Sequence, residues 1–360
     1  MIMKKIVQIL STLILGSHLS ASSLPGVVLH EHLEATASVS TLRQIAASND
    51  VPIPDKAFDF QQNYEYINLA DFLDAFYVVT SVIHKAEDYY TITKAYLEKF
   101  KAEGGIYTEF MVCPFCAACS GIDWKEMIAQ VQKAMAEVEQ PGRFYSRMLI
   151  NLVRGLDTTE KAAEYVEWAI EQRASGDLSI VGIHLSGDET AFPDVTPFIP
   201  VYQRAAQGGL GLAAHAGETT DAQNVIDAIQ KLGVTRVGHG IAAANSKEAL
   251  NLIIEKNVSL EVCPTSNICT HAQNVTSYVT HPLGALVKAG VRVSLNADDS
   301  IFFRETTHQR EMEHVANNFG YDYPQLRAFI ADGITGSFAP VELKQQLRGI
   351  LDGYIQKGSF

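Results

Sequence analysis

The chain has 360 residues, 47% of them hydrophobic and 19% charged, and a formal net charge of −13. Such a composition supplies a large core and excludes a disordered or fibrous chain. The acidic balance disfavours nucleic acid and anionic membrane as partners, and leaves a small neutral ligand open.

From the N-terminus, Met1-Ile2-Met3-Lys4-Lys5 gives a short basic start. The apolar run from Ile6 to Gly16 is too short to span a bilayer comfortably, and Ser20-Ala21-Ser22 follows as a small-residue cleavage site. The pattern predicts a signal peptide over 1–22, a secreted or periplasmic protein, and one mature domain over 23–360. No cysteine follows the apolar run, so no lipid anchor is expected, and no membrane contact after cleavage.

Strand-like runs then recur along the chain. They are Val27–His32, Ile106–Cys113, Tyr145–Val153, Ile180–Leu185, Leu210–His215, Arg236–His239, Val258–Val262 and Val291–Asn296. Helical patterns separate most of them, as in Thr159–Arg173, Ala222–Leu232 and Ser246–Lys256. Alternation of this kind predicts an α/β fold, a (β/α)8 TIM barrel of one domain, over an open doubly wound sheet. No Gly-x-Gly-x-x-Gly follows the first strand, so the dinucleotide fingerprint is absent. The first connection, from about Glu34 to about Tyr77, is long and carries helical patterns at Thr41–Ala46 and Leu69–Phe76. A helical insertion after strand 1 would sit over the barrel mouth and could act as a lid.

The strand ends carry the chemistry. The first bears His30-Glu31-His32, and a His-x-His on extended backbone puts both rings on one side. The fifth ends in His215-Ala216-Gly217-Glu218, the sixth in Gly238-His239-Gly240, and the eighth in Asn296-Ala297-Asp298-Asp299. In a barrel these ends converge on one pocket. Three neutral imidazoles and a carboxylate suit a borderline-soft divalent ion such as zinc, and a carboxyl group beside them can move protons. Taken singly, each piece has a structural reading: a core histidine, a helix cap, a first-turn glutamate. Their coincidence at barrel strand ends favours a site.

The assembled chain resembles the adenosine/adenine deaminase family of metal-dependent amidohydrolase barrels, and most resembles its exported bacterial type. The resemblance covers Leu24 to about Ile350. It rests on Leu29-His30-Glu31-His32-Leu33-Glu34, Phe72-Leu73-Asp74-Ala75-Phe76, Gly187-Asp188-Glu189, His215-Ala216-Gly217-Glu218, Val237-Gly238-His239-Gly240, Glu261-Val262-Cys263-Pro264-Thr265-Ser266-Asn267 and Ser294-Leu295-Asn296-Ala297-Asp298-Asp299. It implies one zinc ion per chain on His30, His32, His215 and Asp298. It implies zinc-dependent hydrolysis of adenosine, and of 2′-deoxyadenosine, to inosine and ammonia in purine salvage, with adenine or a modified aminopurine as the alternative substrate. Glu218 would protonate purine N1, His239 would orient the attacking water and stabilise charge, and Asp299 would hold its hydroxyl or accept from N7-side groups. The Gly187 N–H would bond N3, and Phe72, Leu73 and Phe76 would cover the base. Members specific for adenosine often carry Asp-Gly where Glu34-Ala35 stands, the Asp contacting ribose. Glu is familiar there in the adenine and futalosine branches. His184, Met111 and Ser300 stand where the family commonly has Asp, Arg and Pro.

Other readings fare worse. The chain has five cysteines, an odd count that does not suggest a disulfide scaffold. A single disulfide or free thiols among Cys113, Cys116 and Cys119 are the open alternatives. An iron–sulfur run lacks its fourth cysteine, since Asp123 occupies the position. A cytidine-deaminase zinc site needs proline before the first cysteine, and here Pro114 follows it. The sequence His30-Glu31-His32 is not the zincin motif. A binuclear hydrolase would want Lys or Glu at the end of strand four, where His184 stands. A secreted nucleoside-binding barrel without catalysis remains the rival of another class.

Overall fold

The computed structural model describes residues 24–53 and 64–357. The expected signal peptide lies outside them. Eight strands follow one another around a single sheet in sequence order, every pair parallel. They are β1 (Gly26–Val28), β2 (Gly105–Val112), β3 (Tyr145–Val153), β4 (Ile180–Ser186), β5 (Gly211–Ala216), β6 (Arg236–His239), β7 (Ser259–Val262) and β8 (Arg292–Leu295). Helices lie between them, and the fold is a (β/α)8 barrel.

The strands are legible as apolar runs because both faces are covered. Every residue of β2, β4, β6 and β7 is buried. The outer helices show the complementary period. Thr158 caps the helix Thr159–Ala174 by accepting from the Lys161 N–H at 3.2 Å, and Ala162, Tyr165, Val166 and Ala169 form its buried stripe. Burial of each large side chain there contributes roughly 1.5–3 kcal/mol.

The first strand is shorter than its sequence pattern. It ends at Val28, so His30 and His32 lie beyond it rather than on it. Closure against β8 explains the difference. The Leu29 N–H donates to the Asn296 side chain (2.8 Å) instead of to a backbone carbonyl, and the ladder stops. The chain stays extended, however, and pairs through isolated parallel bridges, Glu31 with Asp298 and His32 with Met111. The alternation that set both histidines on one side is therefore kept. A second difference is local: the helix expected over Ala222–Leu232 is α-helical over Ala222–Asp227 and a π turn over Ala228–Leu232.

The insertion after β1 contains the helices Val39–Ser48 and Leu69–Thr80. Asn68 caps the second by accepting from the Asp71 N–H (3.0 Å). Its buried Phe72 packs on Phe302 and Phe303, with ring centroids 5.5 and 4.9 Å away. This holds the helix over the C-terminal mouth of the barrel. No helix among the described residues is long and apolar enough to cross a membrane.

Candidate active site and metal centre

Four predicted ligands meet at the mouth. Ligand atoms of His30, His32, His215 and Asp298 all lie within 4.8 Å of one another. His30 Nδ1 is 2.7 Å from Glu261 Oε2, so its proton sits there and Nε2 keeps a lone pair. That lone pair faces Asp298 Oδ1 at 3.2 Å. Two acceptors so close in a buried site need a positive charge between them, either a proton on Nε2 or a metal ion. Desolvation alone would lower the His30 imidazole, yet the Asp298 and Glu261 carboxylates outweigh it and raise it to about 10. Desolvation lowers His32 to about 4, and His215 well below the usual range. Against its own burial, the His239, His30 and His32 rings hold Asp298 well below the usual carboxylate range. A divalent metal would take the place of the proton that the carboxylates hold on His30, and three imidazoles with an ionised carboxylate offer nitrogen and oxygen donors of the kind zinc takes.

The support behind this set is partly new relative to the sequence reading. Glu261, on β7, binds His30 and also pairs with the buried Arg236, which in turn pairs with Glu109. Glu109 further accepts from the Phe338 N–H at 2.6 Å. His184, on β4, places its Nε2 2.8 Å from His215 Nδ1. The strand-four histidine thus contacts the His215 ring directly. Gly238 makes room for both rings. A Cβ there would lie 2.8 Å from His30 Cε1 and 3.1 Å from His184 Nε2.

Glu218 sits beside the set. Gly217 has φ +68°, a left-handed turn that carries the chain from β5 to Glu218, and a Cβ on it would meet Val225 at 2.5 Å. The turn is anchored by buried Glu189. Its Oε2 accepts from the Glu218, Thr219 and Thr220 N–H groups at 3.1, 3.3 and 3.3 Å, and from the Thr220 hydroxyl at 2.7 Å. Burial, then the Asp298 and Glu189 charges, raises Glu218 well above the carboxylate range. Burial beside these charges favours the protonated form of the carboxyl group, the form a general acid needs. Burial and the neighbouring Asp298 charge push Asp299 up in the same way. His239 Nε2 lies 3.7 Å from Glu218 Oε2 and 3.7 Å from Asp298 Oδ2. His239 and Asp298 both adopt left-handed backbone, at φ 56° and 67°. Such conformations are costly for non-glycine residues and gather at functional sites.

A cavity of about 610 Å³, counting its open mouth, joins these groups. All the predicted substrate residues line it: Glu34, Phe72, Leu73, Phe76, Gly187 and Asp299, with His32, His215, Glu218, His239 and Asp298. Among the described lining residues there is no Lys or Arg. Tyr77, Asn151 and Phe303 also line it and were not assigned to a site from the sequence, and Ser266, within a quoted motif, lines it without having been given a role. Glu34 is buried in the turn Leu33–Ala35, accepts from the Cys113 N–H at 3.3 Å, and is pushed by burial to about 7. Of the open cysteine alternatives, Cys113 and Cys116 form a disulfide at this wall, and Cys119 stays free and exposed.

A buried acid beside a three-histidine, one-aspartate cluster that could hold a metal ion, at the C-terminal mouth of a barrel, is the arrangement of a hydrolase of the amidohydrolase type. The adenosine deaminase family model matches residues 25–354, and the chain belongs to that family. It is similar to an adenine deaminase of Vibrio parahaemolyticus, 30% identical over 93% of this chain and 97% of the relative. It is also similar to an adenosine deaminase of Clostridium botulinum, 30% identical over 90% of this chain and 96% of the relative. Among solved structures, an adenine deaminase from Arthrobacter aurescens superposes with a TM-score of 0.84 at 27% identity, covering 92% of this chain and 99% of that one. An Arabidopsis N6-mAMP deaminase does so with a TM-score of 0.81 at 26% identity, covering 92% and 99%. The protein is a hydrolytic deaminase.

Proposed function

We propose that the protein hydrolyses the 6-amino group of a purine, converting adenosine, and 2′-deoxyadenosine with it, to the inosine form and ammonia. The observation that carries this reading is buried Glu218, 3.7 Å from His239 Nε2 and beside the ligand cluster. An aromatic amine leaves poorly from an intact ring. Proton donation from Glu218 to ring N1 makes C6 electrophilic, water adds there, and ammonia departs once the carbon is tetrahedral. A zinc ion held by His30, His32, His215 and Asp298 would supply positive charge that makes the attacking water more acidic. Phe72, Leu73 and Phe76 cover the apolar base and exclude bulk water. The Gly187 N–H is assigned to N3. Asp299 is assigned to the attacking water.

Glu34 favours a second reading, in which the substrate is free adenine. It stands where a ribose-binding aspartate is common, and some relatives are adenine deaminases. A cavity wall with no described Lys or Arg, and with Glu34, Asp298 and Asp299 on it, argues against a 5′-phosphorylated substrate. Residues 1–22 are proposed as an export leader, which puts salvage of nucleosides outside the cytoplasm.

The test is an ultraviolet assay on adenosine, adenine and AMP, with and without a chelator. Chelator-sensitive formation of inosine supports the reading. Turnover of adenine alone moves the protein to the second one. Failure on every substrate, with metal bound, leaves the non-catalytic binding barrel.

A further inference from the structure

Behind His239, two side chains that make no contact with the metal set run in line. His281, Asn267 and His239 are 4%, 0% and 0% exposed, so each polar atom there must find its partner inside the protein. The Leu283 N–H donates to His281 Nδ1 at 3.0 Å. Pro282 between them has no N–H, so Leu283 supplies the first amide after the ring. An amide nitrogen only donates, hence Nδ1 accepts and the His281 proton sits on Nε2. Nε2 is 3.1 Å from Asn267 Oδ1 and donates to it. Turning the amide over would set NH2 against N–H, donor against donor, so its orientation is fixed too. Asn267 Nδ2 lies 3.0 Å from His239 Nδ1, which must accept. The remaining His239 proton is on Nε2. That atom has no hydrogen-bond partner among the described residues and faces the space between Glu218 and Asp298.

We propose that Asn267 and His281 are positioning residues that lock His239 as an N–H donor toward the oxygen arriving at the substrate carbon. In this tautomer His239 stabilises charge growing on that oxygen and offers no lone pair to take a proton from water. The identity of the oxygen rests on the 6-aminopurine reading; the tautomer does not. The backbone serves the same end. His239 at φ 56° and Gly240 at φ 67° form a left-handed pair, and a Cβ on Gly240 would meet Leu260 at 2.7 Å.

The tautomer is read directly from long-range nitrogen–proton correlations of histidine rings in the zinc-loaded, full-length protein. Both His239 and His281 should carry the proton on Nε2, and an Nδ1–H signal from His239 overturns the proposal. Asn267→Asp then offers His239 an acceptor in place of a donor and should move its proton to Nδ1. The expected loss in kcat is on the order of 10²–10³-fold, as for removal of an oxyanion donor. KM should stay within about threefold and zinc content should be unchanged, the pattern of an interaction made in the transition state alone. Retained kcat, or loss of zinc, overturns the role. Should the wild type turn over no aminopurine, the substrate reading fails while the ring measurement still decides the tautomer.

Discussion

Gly238→Ala tests how the metal set is built, because the change is a single methyl group with no charge. The new Cβ would lie 2.8 Å from His30 Cε1 and 3.1 Å from His184 Nε2. Ordinary contact begins near 3.4 Å, so His30 must retreat by about 0.6 Å. It has little freedom to do so, being tied to Glu261 at 2.7 Å, and His184 is tied to His215 at 2.8 Å. Metal–ligand distances tolerate only about 0.2 Å. The displaced ring should therefore weaken zinc binding by about 10–100-fold, comparable to the loss of an outer hydrogen-bond partner. Overpacking should also cost about 1–3 kcal/mol of stability. The assays are competition with a chromogenic chelator and urea unfolding of the metal-free protein. Zinc affinity within about twofold of wild type would refute the steric argument, since the rings would then have moved without consequence.

Three further outcomes follow from the site. Glu218→Gln should bind zinc normally and lose roughly 10²–10⁴-fold in kcat, the usual worth of a positioned acid; a variant within about tenfold of wild type removes Glu218 from that role. His184→Leu takes away the partner of His215 Nδ1 and should weaken zinc by about 10–100-fold, with unchanged affinity arguing that the ring contact is incidental. Glu34 concerns pH. Its carboxyl is raised by burial from 4.5 to about 7, so the folded state holds the proton that the unfolded state releases. Its contribution is fully present below about pH 4.5 and is lost as pH rises through 7, worth about 3 kcal/mol. Glu34→Gln should lack that decline when denaturation midpoints are compared across pH 4.5–7.5, and a parallel decline in both proteins contradicts it.

The barrel was legible because parallel strands covered on both faces must be written as apolar runs, and the eight runs match the eight strands. The end of β1 was not. From Val27 to His32 the chain is extended throughout, and only the swap of a backbone partner for the Asn296 side chain ends the ladder at Val28. The ligands and Glu218 were readable as reactive residues at strand ends. Their supports were not, because a support is defined by what it faces. Glu261 reaches His30 across 231 positions, and Asn267 and His281 form a chain only once β6, the helix after β7 and the following turn are folded together. His184 was visible as a departure, but no spacing rule ties it to His215, 31 positions away. Glu189 sat in a quoted motif, while its role depends on a turn 29 residues downstream.

The pairing of Arg236 with Glu109 and Glu261 carries a practical lesson for redesign. Charges alternate down the barrel axis, from the ligand cluster through Glu261 and Arg236 to Glu109, with the Arg236 guanidinium 3.9 Å over the Phe338 ring. Glu261, Arg236 and Glu109 are not among the residues that line the cavity. Selection for a new purine can therefore vary Leu69, Leu73, Tyr77 or Asn151, which line the cavity and are not among the proposed ligands. A library that also varies Glu109 or Arg236, buried beyond the cavity, would lose metal-competent members without exploring substrate choice at all.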